Sequence, residues 1–369
     1  MNFKIENKIL KKISLFSTEN NIQSYLVGGY VRDKLLGIVS NDVDIMVIGD
    51  AIQFSNQVTE LFSVPVLAVY KNFGTALINI DELKIEFASA RKESYLRDSR
   101  KPIIELSDLK DDLARRDFTI NALAVPLFKP HKIIDNFNGL SDLKNGIIKT
   151  PLEPYKTFND DPLRMLRAIR FASNFNFSIA PETFEAINSL KSRLKENKVV
   201  SQERITNEFL LIMMGDKPSI GLDLLYLSGV MDIIFPEMAK LGGVDQREDF
   251  HHKDVFYHTL NVVDNISEKT DDIWLRFAAL VHDIAKPKTK KFVEGTGWTF
   301  HSHEEVGARM LKNIFMKMKL PLNKLDYVEK LVRMHLRPIP IAKDEVTDSA
   351  VRRLAAEAGE ELEDLLTLC

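Results

Sequence analysis

The sequence predicts an α+β protein in which an α/β head, with a mixed sheet and packed helices, is followed by two all-α regions. Up to about residue 150, helical patterns alternate with β-rich runs such as NDVDIMVIG. Beyond that point, apolar residues recur at intervals of three and four. A loop rich in glycine and charge, LGGVDQREDFHHKD, interrupts the helical pattern near residue 245. We therefore expect domains at 1–150, 151–245 and 246–369.

The composition narrows the class of protein. A chain of 369 residues exceeds what one hydrophobic core usually serves. The single cysteine, Cys369, excludes a disulfide within the chain, so a metal would bind carboxylates and histidines. No apolar run approaches the roughly 20 residues of a membrane span, and the N-terminus lacks the apolar stretch of a signal peptide. The sequence thus predicts a cytoplasmic protein with no membrane partner, and its formal charge of −3 still permits a local basic face.

The motif GGYVRD indicates a tight approach to a phosphate. Gly28 and Gly29 precede a helical pattern, YVRDKLLG, so backbone N–H groups and a helix N-terminus can approach an anion. Arg32 would then act as a charged clamp. The simpler interpretation is a turn followed by a half-buried strand, for which the glycines supply positive φ.

Two acids lie two residues apart in the next β-rich run, DVDIMV. On a strand, Asp42 and Asp44 share one face, while Val43, Ile45 and Val47 pack into the core. Adjacent carboxylates repel each other unless a divalent cation lies between them, and Mg²⁺ prefers oxygen ligands together with substrate phosphates. The pattern predicts a magnesium site that holds a nucleotide.

Two further segments follow in the head. ARKESYLRDSRKP (90–102) is polar and has no period, which predicts a mobile loop. RRDFTINALA places Arg116, Asp117 and Asn121 close together, and positions 117 and 121 share a face if the segment is helical. The alternative for this motif is a capped helix start with Asp117 as the N-cap.

GGYVRD, DVDIMV and RRDFTINALA, in this order, resemble the head of class II tRNA nucleotidyltransferases and bacterial poly(A) polymerases. The resemblance extends from about residue 20 to the C-terminal end. It implies that Asp42 and Asp44 hold two metal ions, one activating an RNA 3′-hydroxyl and the other neutralising the leaving pyrophosphate. It also implies that RRDFTINALA contacts the ribose 2′-hydroxyl. Glu86 lies in a strand where this family often has a third acid, although a solvated strand carboxylate is an equal alternative.

The segment NDDPLRMLRAIRF predicts nucleobase selection. Asp161 and Arg164 share a helical face that Arg167 and Arg170 continue; a helix cap with solvated arginines explains the acid but not the repeated arginines. A carboxylate beside a guanidinium matches the pairing edges of cytosine and adenine and mispairs with those of uracil and guanine. It also matches the family's motif of two acids followed by arginine. We therefore expect CCA addition to tRNA from CTP and ATP, with a poly(A) polymerase as the alternative.

The last region contains a second candidate metal site. His258 in KDVFYHTL, with His282 and Asp283 in AALVHDIAKP, matches the signature of HD-domain metal phosphohydrolases, which are fused to some bacterial family members. This ligand set suits a transition metal such as Ni²⁺ or Mn²⁺ that activates water. Buried core histidines are the alternative, and His303 and His335 occur in the same region without an assigned role.

The final acid of the HD signature is harder to place. Asp348 is the nearest candidate, but the sequence stops inside a helical pattern, EELEDLLTLC, so we expect a truncated chain and a last ligand further on. A phosphohydrolase with a regulatory nucleotide-binding head is therefore the third functional hypothesis. The sequence makes no prediction of oligomeric state.

Overall fold

A computed structural model describes residues 2–96, 99–196, 199–244, 254–295, 297–343 and 347–369, with backbone alone for 93–104 and 342–343. The chain divides into two compact units. The first unit comprises Met1–Arg164 and Ser178–Ala186, and the second comprises Met165–Phe177 and Ile187–Cys369. The expected boundary near residue 245 lies outside the described residues. Within the described ranges, no helix is both long and apolar enough to cross a bilayer.

The strands are short and concentrate in the first half of the chain. They are β1 (Ser24–Val27), β2 (Asp42–Val47), β3 (Val66–Tyr70), β4 (Thr75–Ile80), β5 (Leu83–Ser89), β6 (Arg91–Leu96), β7 (Ser99–Leu106), β8 (Leu123–Pro126), β9 (Ile134–Asp135), β10 (Ile147–Ile148), β11 (Ser178–Ile179), β12 (Lys291–Val293) and β13 (Gly297–Thr299).

Helices dominate from residue 150 onward, as the apolar spacing predicts. In chain order they are α1 (Lys8–Glu19), α2 (Gly29–Leu36), α3 (Ala51–Phe62), α4 (Leu109–Ala114), α5 (Gly139–Asn145), α6 (Pro154–Asp160), α7 (Leu163–Phe175), α8 (Pro181–Leu190), α9 (Gln202–Met213), α10 (Pro218–Leu227), α11 (Val230–Ile234), α12 (Pro236–Ala239), α13 (Val255–Ser267), α14 (Ile273–Val281), α15 (Lys286–Thr289), α16 (His303–Met318), α17 (Leu325–Met334), α18 (Pro338–Lys343), α19 (Asp348–Ala358) and α20 (Leu362–Leu368).

A seven-stranded mixed sheet organises the first unit. Its strand order is β3-β4-β5-β2-β1-β8-β9; β2 and β5 run parallel, and the other neighbouring pairs run antiparallel. Val43, Ile45 and Val47 of β2 lie in one buried cluster with Phe54 and Val58 of α3. The expected alternation along β2 is therefore confirmed, and the acids of this strand are on the face opposite that cluster.

The expectation of a loop over residues 90–102 is wrong. β6 and β7 form an antiparallel hairpin in which Arg91 is opposite Leu106 and Leu96 is opposite Ser99; residues 97 and 98 lie outside the described ranges. Backbone N–H and C=O groups pair in such a ladder whatever the side chains are, so a polar sequence without apolar alternation conceals it.

RRDFTINALA forms a turn and a strand, not a continuous helix. A short 3₁₀ turn covers Thr119–Asn121, and β8 follows directly and pairs with β1. This pairing brings the end of RRDFTINALA beside GGYVRD, which follows β1. The two motifs lie close together because their strands are neighbours, although about 90 residues separate them in sequence.

The second unit has an aromatic core. The rings of Phe209 and Phe235 are 5.9 Å apart, those of Phe235 and Phe277 6.4 Å, and those of Phe277 and Phe315 5.8 Å, and all four side chains are buried. These rings come from α9, α14, α16 and the residue before α12, so they join distant helices. The hairpin β12–β13 was not predicted by the helical pattern of this region.

Candidate functional site

Three carboxylates lie close together on one face of the head sheet, opposite the buried cluster that contains Val43. The register of β2 and β5 pairs Asp44 with Glu86, and Asp42 lies two residues before Asp44. Burial raises the pKa of Asp44, and repulsion from Asp42 adds to this while Arg116 opposes it. Partial burial and the charge of Asp44 also raise the pKa of Glu86, an exposed residue. The ionised form of these carboxylates is disfavoured by burial and by their mutual repulsion, and a bound magnesium ion would stabilise it.

Gly28 brings the backbone close to these acids. It precedes α2, with φ at +69°, and a Cβ built there would lie 2.8 Å from Asp44 Oδ2 and 2.9 Å from Arg116 Nη1. A larger residue would therefore displace both of these side chains. Asp44, Glu86 and Arg116 also line a cavity of about 200 Å³, together with Arg91 and other residues.

Asp112 orients the guanidinium groups at this cavity. It is fully buried and accepts from Arg115 Nη2 at 2.6 Å and from Arg116 Nη2 at 3.1 Å. Burial acts to raise the pKa of Asp112, but Arg116 and Arg115 outweigh it and hold this pKa below its ordinary value. The sequence analysis missed Asp112, although its spacing of three and four residues from the two arginines is a detectable signal on a helix.

A second hydrogen-bonded chain joins GGYVRD to RRDFTINALA. Arg32 Nη1 donates to Asn121 Oδ1 at 2.6 Å, and Asn121 Nδ2 donates to Asp117 Oδ1 at 2.9 Å. Asp117 Oδ1 also accepts from the N–H of Phe118 at 2.9 Å, and Arg32 Nε donates to Asp33 Oδ1 at 2.8 Å. The structure thus brings the predicted residues of both motifs together, while their contact with a ribose stays a prediction.

Asp161 and Arg164 are both held by the backbone. Asp161 Oδ1 accepts from the N–H of Leu163 at 3.1 Å, so it caps α7 as the helix-start interpretation expects. Arg164 Nη2 donates to the carbonyl of Arg115 at 2.9 Å. Both side chains are therefore positioned, and the reading of a nucleobase by this pair stays a prediction.

Arg167 and Arg170 are not a simple solvated stripe. Arg170 Nε lies 2.8 Å from Glu208 Oε2, and Arg167 Nη1 lies 3.9 Å from Glu208 Oε1. The guanidinium carbon of Arg170 lies 4.6 Å from the centroid of the Phe171 ring, and that of Arg167 lies 5.1 Å from it. These contacts join α7 to α9, and the expected nucleotide contacts of the two arginines stay predictions.

The second unit contains a cluster that we call the histidine centre: His258, His282, Asp283, His303 and His335. The cluster contains two groups of three residues whose potential ligand atoms lie within 4.8 Å of one another, and Asp283 belongs to both groups. The first group holds the three residues expected from the sequence, and the second adds His303 and His335. Every member except His258 is buried.

The imidazole rings are oriented by backbone carbonyls. The Nδ1 atoms of His282, His303 and His335 lie 2.7, 2.7 and 2.6 Å from the carbonyl oxygens of Ala279, Phe300 and Val332. A carbonyl oxygen can only accept, so each Nδ1 carries the donated proton. This arrangement is typical of metal-binding histidines, whose other nitrogen faces the ion.

The opposite ring nitrogens point at the carboxylate. Nε2 of His282 and of His303 lie 3.1 and 3.2 Å from oxygens of Asp283, and Nε2 of His335 lies 3.9 Å from one. Within the described part of the chain, Nε2 of His303 and of His335 has no hydrogen-bond partner. Burial lowers the pKa of His335 to about 4, so its Nε2 lone pair is available at neutral pH. Buried acceptors that face one another fit a cation between them.

Positive charge keeps Asp283 ionised. Burial acts to raise its pKa, but His282 and Lys286 outweigh it and hold this pKa well below the ordinary value. Lys286 Nζ lies 2.6 Å from Asp283 Oδ2. The shared carboxylate of the histidine centre is therefore a ready anionic ligand.

The structure does not support Asp348 as the remaining HD ligand. Asp348 is exposed in the first turn of α19 and belongs to neither group of possible ligands found among the described residues. His303 and His335 lie beside Asp283 instead, and a last ligand further along the chain stays a prediction. The sequence offered the two histidines but no spacing that links them, because they are far from the His-Asp pair along the chain.

Family models match three successive segments. A model described as the poly A polymerase head domain matches residues 24–149, and one described as the probable RNA and SrmB-binding site of polymerase A matches 176–241. A model of the HD domain matches residues 255–368.

Curated relatives extend over most of the chain. This chain is 30% identical over 348 residues to the A-adding tRNA nucleotidyltransferase of Deinococcus radiodurans. The match covers 93% of this chain and 74% of that protein. The chain belongs to the tRNA nucleotidyltransferase and poly(A) polymerase family. It is a nucleotidyltransferase with an HD domain. The A-adding enzyme of Aquifex aeolicus is 31% identical over 93% of the chain, which spans only 44% of that protein. The multifunctional CCA protein of Neisseria meningitidis is 32% identical over 85% of the chain and 73% of that relative.

Solved structures agree with this membership. A tRNA nucleotidyltransferase complexed with a primer tRNA and an incoming ATP analogue matches with a TM-score of 0.68 and 27% identity, over 97% of this nucleotidyltransferase and 94% of that chain. A tRNA-processing enzyme with CTP matches with a TM-score of 0.68 and 26% identity, over 97% and 87% of the two chains.

Proposed function

We propose that this nucleotidyltransferase adds cytidine and adenosine residues of the CCA sequence to the 3′ end of tRNA, with CTP and ATP as donors. The observation that carries the proposal is the group of Asp42, Asp44 and Glu86 at one face of the head sheet, beside the backbone of Gly28. The relatives named above include A-adding tRNA nucleotidyltransferases and a multifunctional CCA protein, and these names support this substrate class.

The reaction joins an RNA 3′-oxygen to the α-phosphorus of the nucleotide. The bond between that phosphorus and the bridging oxygen of pyrophosphate breaks, and the 3′-hydroxyl loses its proton. Asp42, Asp44 and Glu86 would hold magnesium, which supplies Lewis acidity and charge neutralisation when bound. Arg116, held by Asp112, places a guanidinium where the negative charge of a triphosphate would lie.

Asp161 and Arg164 select the nucleobase in this proposal. Cytosine and adenine each present an amino donor beside a ring-nitrogen acceptor, which suits a carboxylate beside a guanidinium. Uracil and guanine would set a carbonyl oxygen against Asp161, which leaves buried polar groups mispaired at about 1–3 kcal/mol each. The helix cap and the Arg115 carbonyl support this role because they hold both side chains in place.

Product analysis at single-nucleotide resolution tests the function. The substrates are tRNAs that lack CCA, that end in C and that end in CC, with each nucleoside triphosphate supplied in turn and an unrelated RNA as the control. CCA addition extends the tRNAs that lack CCA or end in C with CTP and the CC-ending tRNA with ATP, and the two donors together extend all three tRNAs to the same end. Extension of the CC-ending tRNA alone would identify an A-adding enzyme like two of the relatives, and long adenylate tails on any RNA would identify a poly(A) polymerase.

Substitution of the acids tests the catalytic assignment. Asp42→Ala or Asp44→Ala should abolish incorporation by every donor, because the ligands of the magnesium are lost, while binding of tRNA persists. Near-normal incorporation by either variant contradicts the assignment.

A specific observation favours a second activity, metal-dependent hydrolysis of phosphate esters by the HD domain. Three buried imidazoles whose Nδ1 protons are bound by carbonyls direct Nε2 at one ionised carboxylate. A divalent transition metal held by these residues would supply activated water. Suitable substrates include a 2′,3′-cyclic phosphate at an RNA end, and loss of its hydrolysis in His282→Ala with Asp283→Ala tests the activity.

A further inference from the structure

A cationic segment connects the two halves of the histidine centre. It runs from Lys286 through α15, β12 and β13 to Thr299, and we call it the lysine hairpin. It begins three residues after Asp283 and ends four residues before His303. It contains four lysines (286, 288, 290 and 291) and one acid, Glu294. Its formal charge is therefore +3, whereas the formal charge of the whole chain is −3. Such a local excess of positive charge attracts an anionic partner.

Two large aromatic side chains are displayed on this hairpin. Phe292 and Trp298 are opposite each other across β12 and β13, with ring centroids 5.2 Å apart in an edge-to-face arrangement. They remain 52% and 37% exposed. The ammonium of Lys290 lies 4.5 Å from the centroid of the Trp298 ring. Exposed rings can stack a nucleobase while the neighbouring lysines hold its phosphate.

Contacts of Lys286 and Phe300 connect the hairpin to the histidine centre. Lys286 Nζ lies 2.6 Å from Asp283 Oδ2 and 5.5 Å from the centroid of the Phe300 ring. The carbonyl of Phe300 accepts from Nδ1 of His303 at 2.7 Å. Lys286, at the start of the hairpin, and Phe300, the residue after its end, therefore both contact candidate metal ligands, and a phosphate at that centre would lie close to a lysine.

We propose that the lysine hairpin binds the terminal nucleotide of a single-stranded RNA and presents its phosphate ester to the histidine centre. The base stacks on Trp298 and Phe292, and the ammonium groups of Lys290 and Lys286 hold the phosphate. In the hydrolysis, a water oxygen bonds to phosphorus, the ester P–O bond breaks, and the departing ribose oxygen takes a proton. This inference rests on the hydrolytic activity proposed for the HD domain, and it adds the surface that recognises the RNA end.

Tryptophan fluorescence can report binding at the hairpin directly. The chain has two tryptophans, Trp274 and Trp298, so Trp274→Phe makes the emission report Trp298 alone. Titration with a short single-stranded RNA that ends in a phosphate should quench this emission, and added salt should weaken the effect. In the Trp274→Phe background, Phe292→Ala or Lys290→Gln should weaken binding about tenfold.

Matched variants separate recognition from general charge and from folding. Lys312→Gln removes an exposed lysine of α16 and should leave RNA affinity unchanged. Each variant should melt at the temperature of its parent, and addition of nucleotides to tRNA should continue in all of them. Quenching without hydrolysis by the parent would support the hairpin and refute the HD activity. An unquenched Trp298, or equal affinity in Phe292→Ala, Lys290→Gln and Lys312→Gln, refutes the proposal.

Discussion

Replacing Gly28 with alanine tests how closely the backbone must approach the catalytic carboxylates. The added Cβ would lie 2.8 Å from Asp44 Oδ2 and 2.9 Å from Arg116 Nη1, whereas ordinary contact begins at 3.4 Å. Both partners must therefore move, Asp44 Oδ2 by about 0.6 Å and Arg116 Nη1 by about 0.5 Å. The residue also has φ at +69° and ψ at −141°, a backbone conformation that L-residues rarely adopt and that costs about 1–3 kcal/mol.

Two effects of different size follow from this geometry. Backbone strain lowers the free energy of unfolding by about 1–3 kcal/mol but leaves the folded site intact. Displacement of Asp44 or Arg116 misaligns the reacting groups, and because a shift of 1 Å can reduce a rate about 100-fold, we expect about a tenfold loss for Gly28→Ala. The assay is the initial rate of addition to tRNA, together with thermal unfolding.

Gly37→Ala is the matched control. Gly37 also has positive φ, at +75°, with ψ at 13°, the left-handed region that costs an L-residue about 1–2 kcal/mol, and a Cβ there would meet nothing within 4 Å. Gly37→Ala should therefore show backbone strain of similar or smaller size without the loss of rate. If Gly28→Ala retains the same rate as Gly37→Ala at equal stability, the close approach of Gly28 to Asp44 has no catalytic importance and the reasoning is refuted.

Two further predictions concern base selection and the metal. Asp161→Ala should lower the rate of CMP and AMP addition and admit UMP or GMP more often, measured by product sequencing; unchanged selectivity with reduced stability would leave Asp161 as a helix cap alone. His335→Ala should weaken Mn²⁺ or Ni²⁺ binding about tenfold or more in calorimetry while addition to tRNA continues, because the Nε2 ligand is lost; an unchanged affinity would exclude His335 from the metal site.

The alternation of residues in one strand was enough to predict the acidic face of the head. Asp42 and Asp44 share that face because the side chains of a strand have a period of two, and this requires no knowledge of neighbouring strands. The position of Glu86 beside Asp44 depends on the parallel register of β2 with β5, which α3 and two intervening strands create. Local periodicity contains no information about such register.

The histidine centre shows the same division between local and long-range information. His282 and Asp283 are adjacent in the sequence, so their signature is visible without a structure. His303 begins α16 and His335 directly follows α17, and only the packing of these helices brings both beside Asp283. Each of these histidines alone is indistinguishable from a satisfied core residue, which is why the sequence analysis left them without a role.

Helix capping and base reading by Asp161 are compatible functions. The cap bond from the N–H of Leu163 holds Oδ1 of Asp161, and a carboxylate can accept several hydrogen bonds at once. Arg164 similarly uses Nη2 for the Arg115 carbonyl, and a guanidinium has five N–H donors. A pair that selects bases without a nucleic acid template must be held rigidly, since a mobile carboxylate or guanidinium could turn to accommodate uracil. The backbone bonds that make Asp161 resemble an ordinary cap therefore supply the rigidity that selection requires.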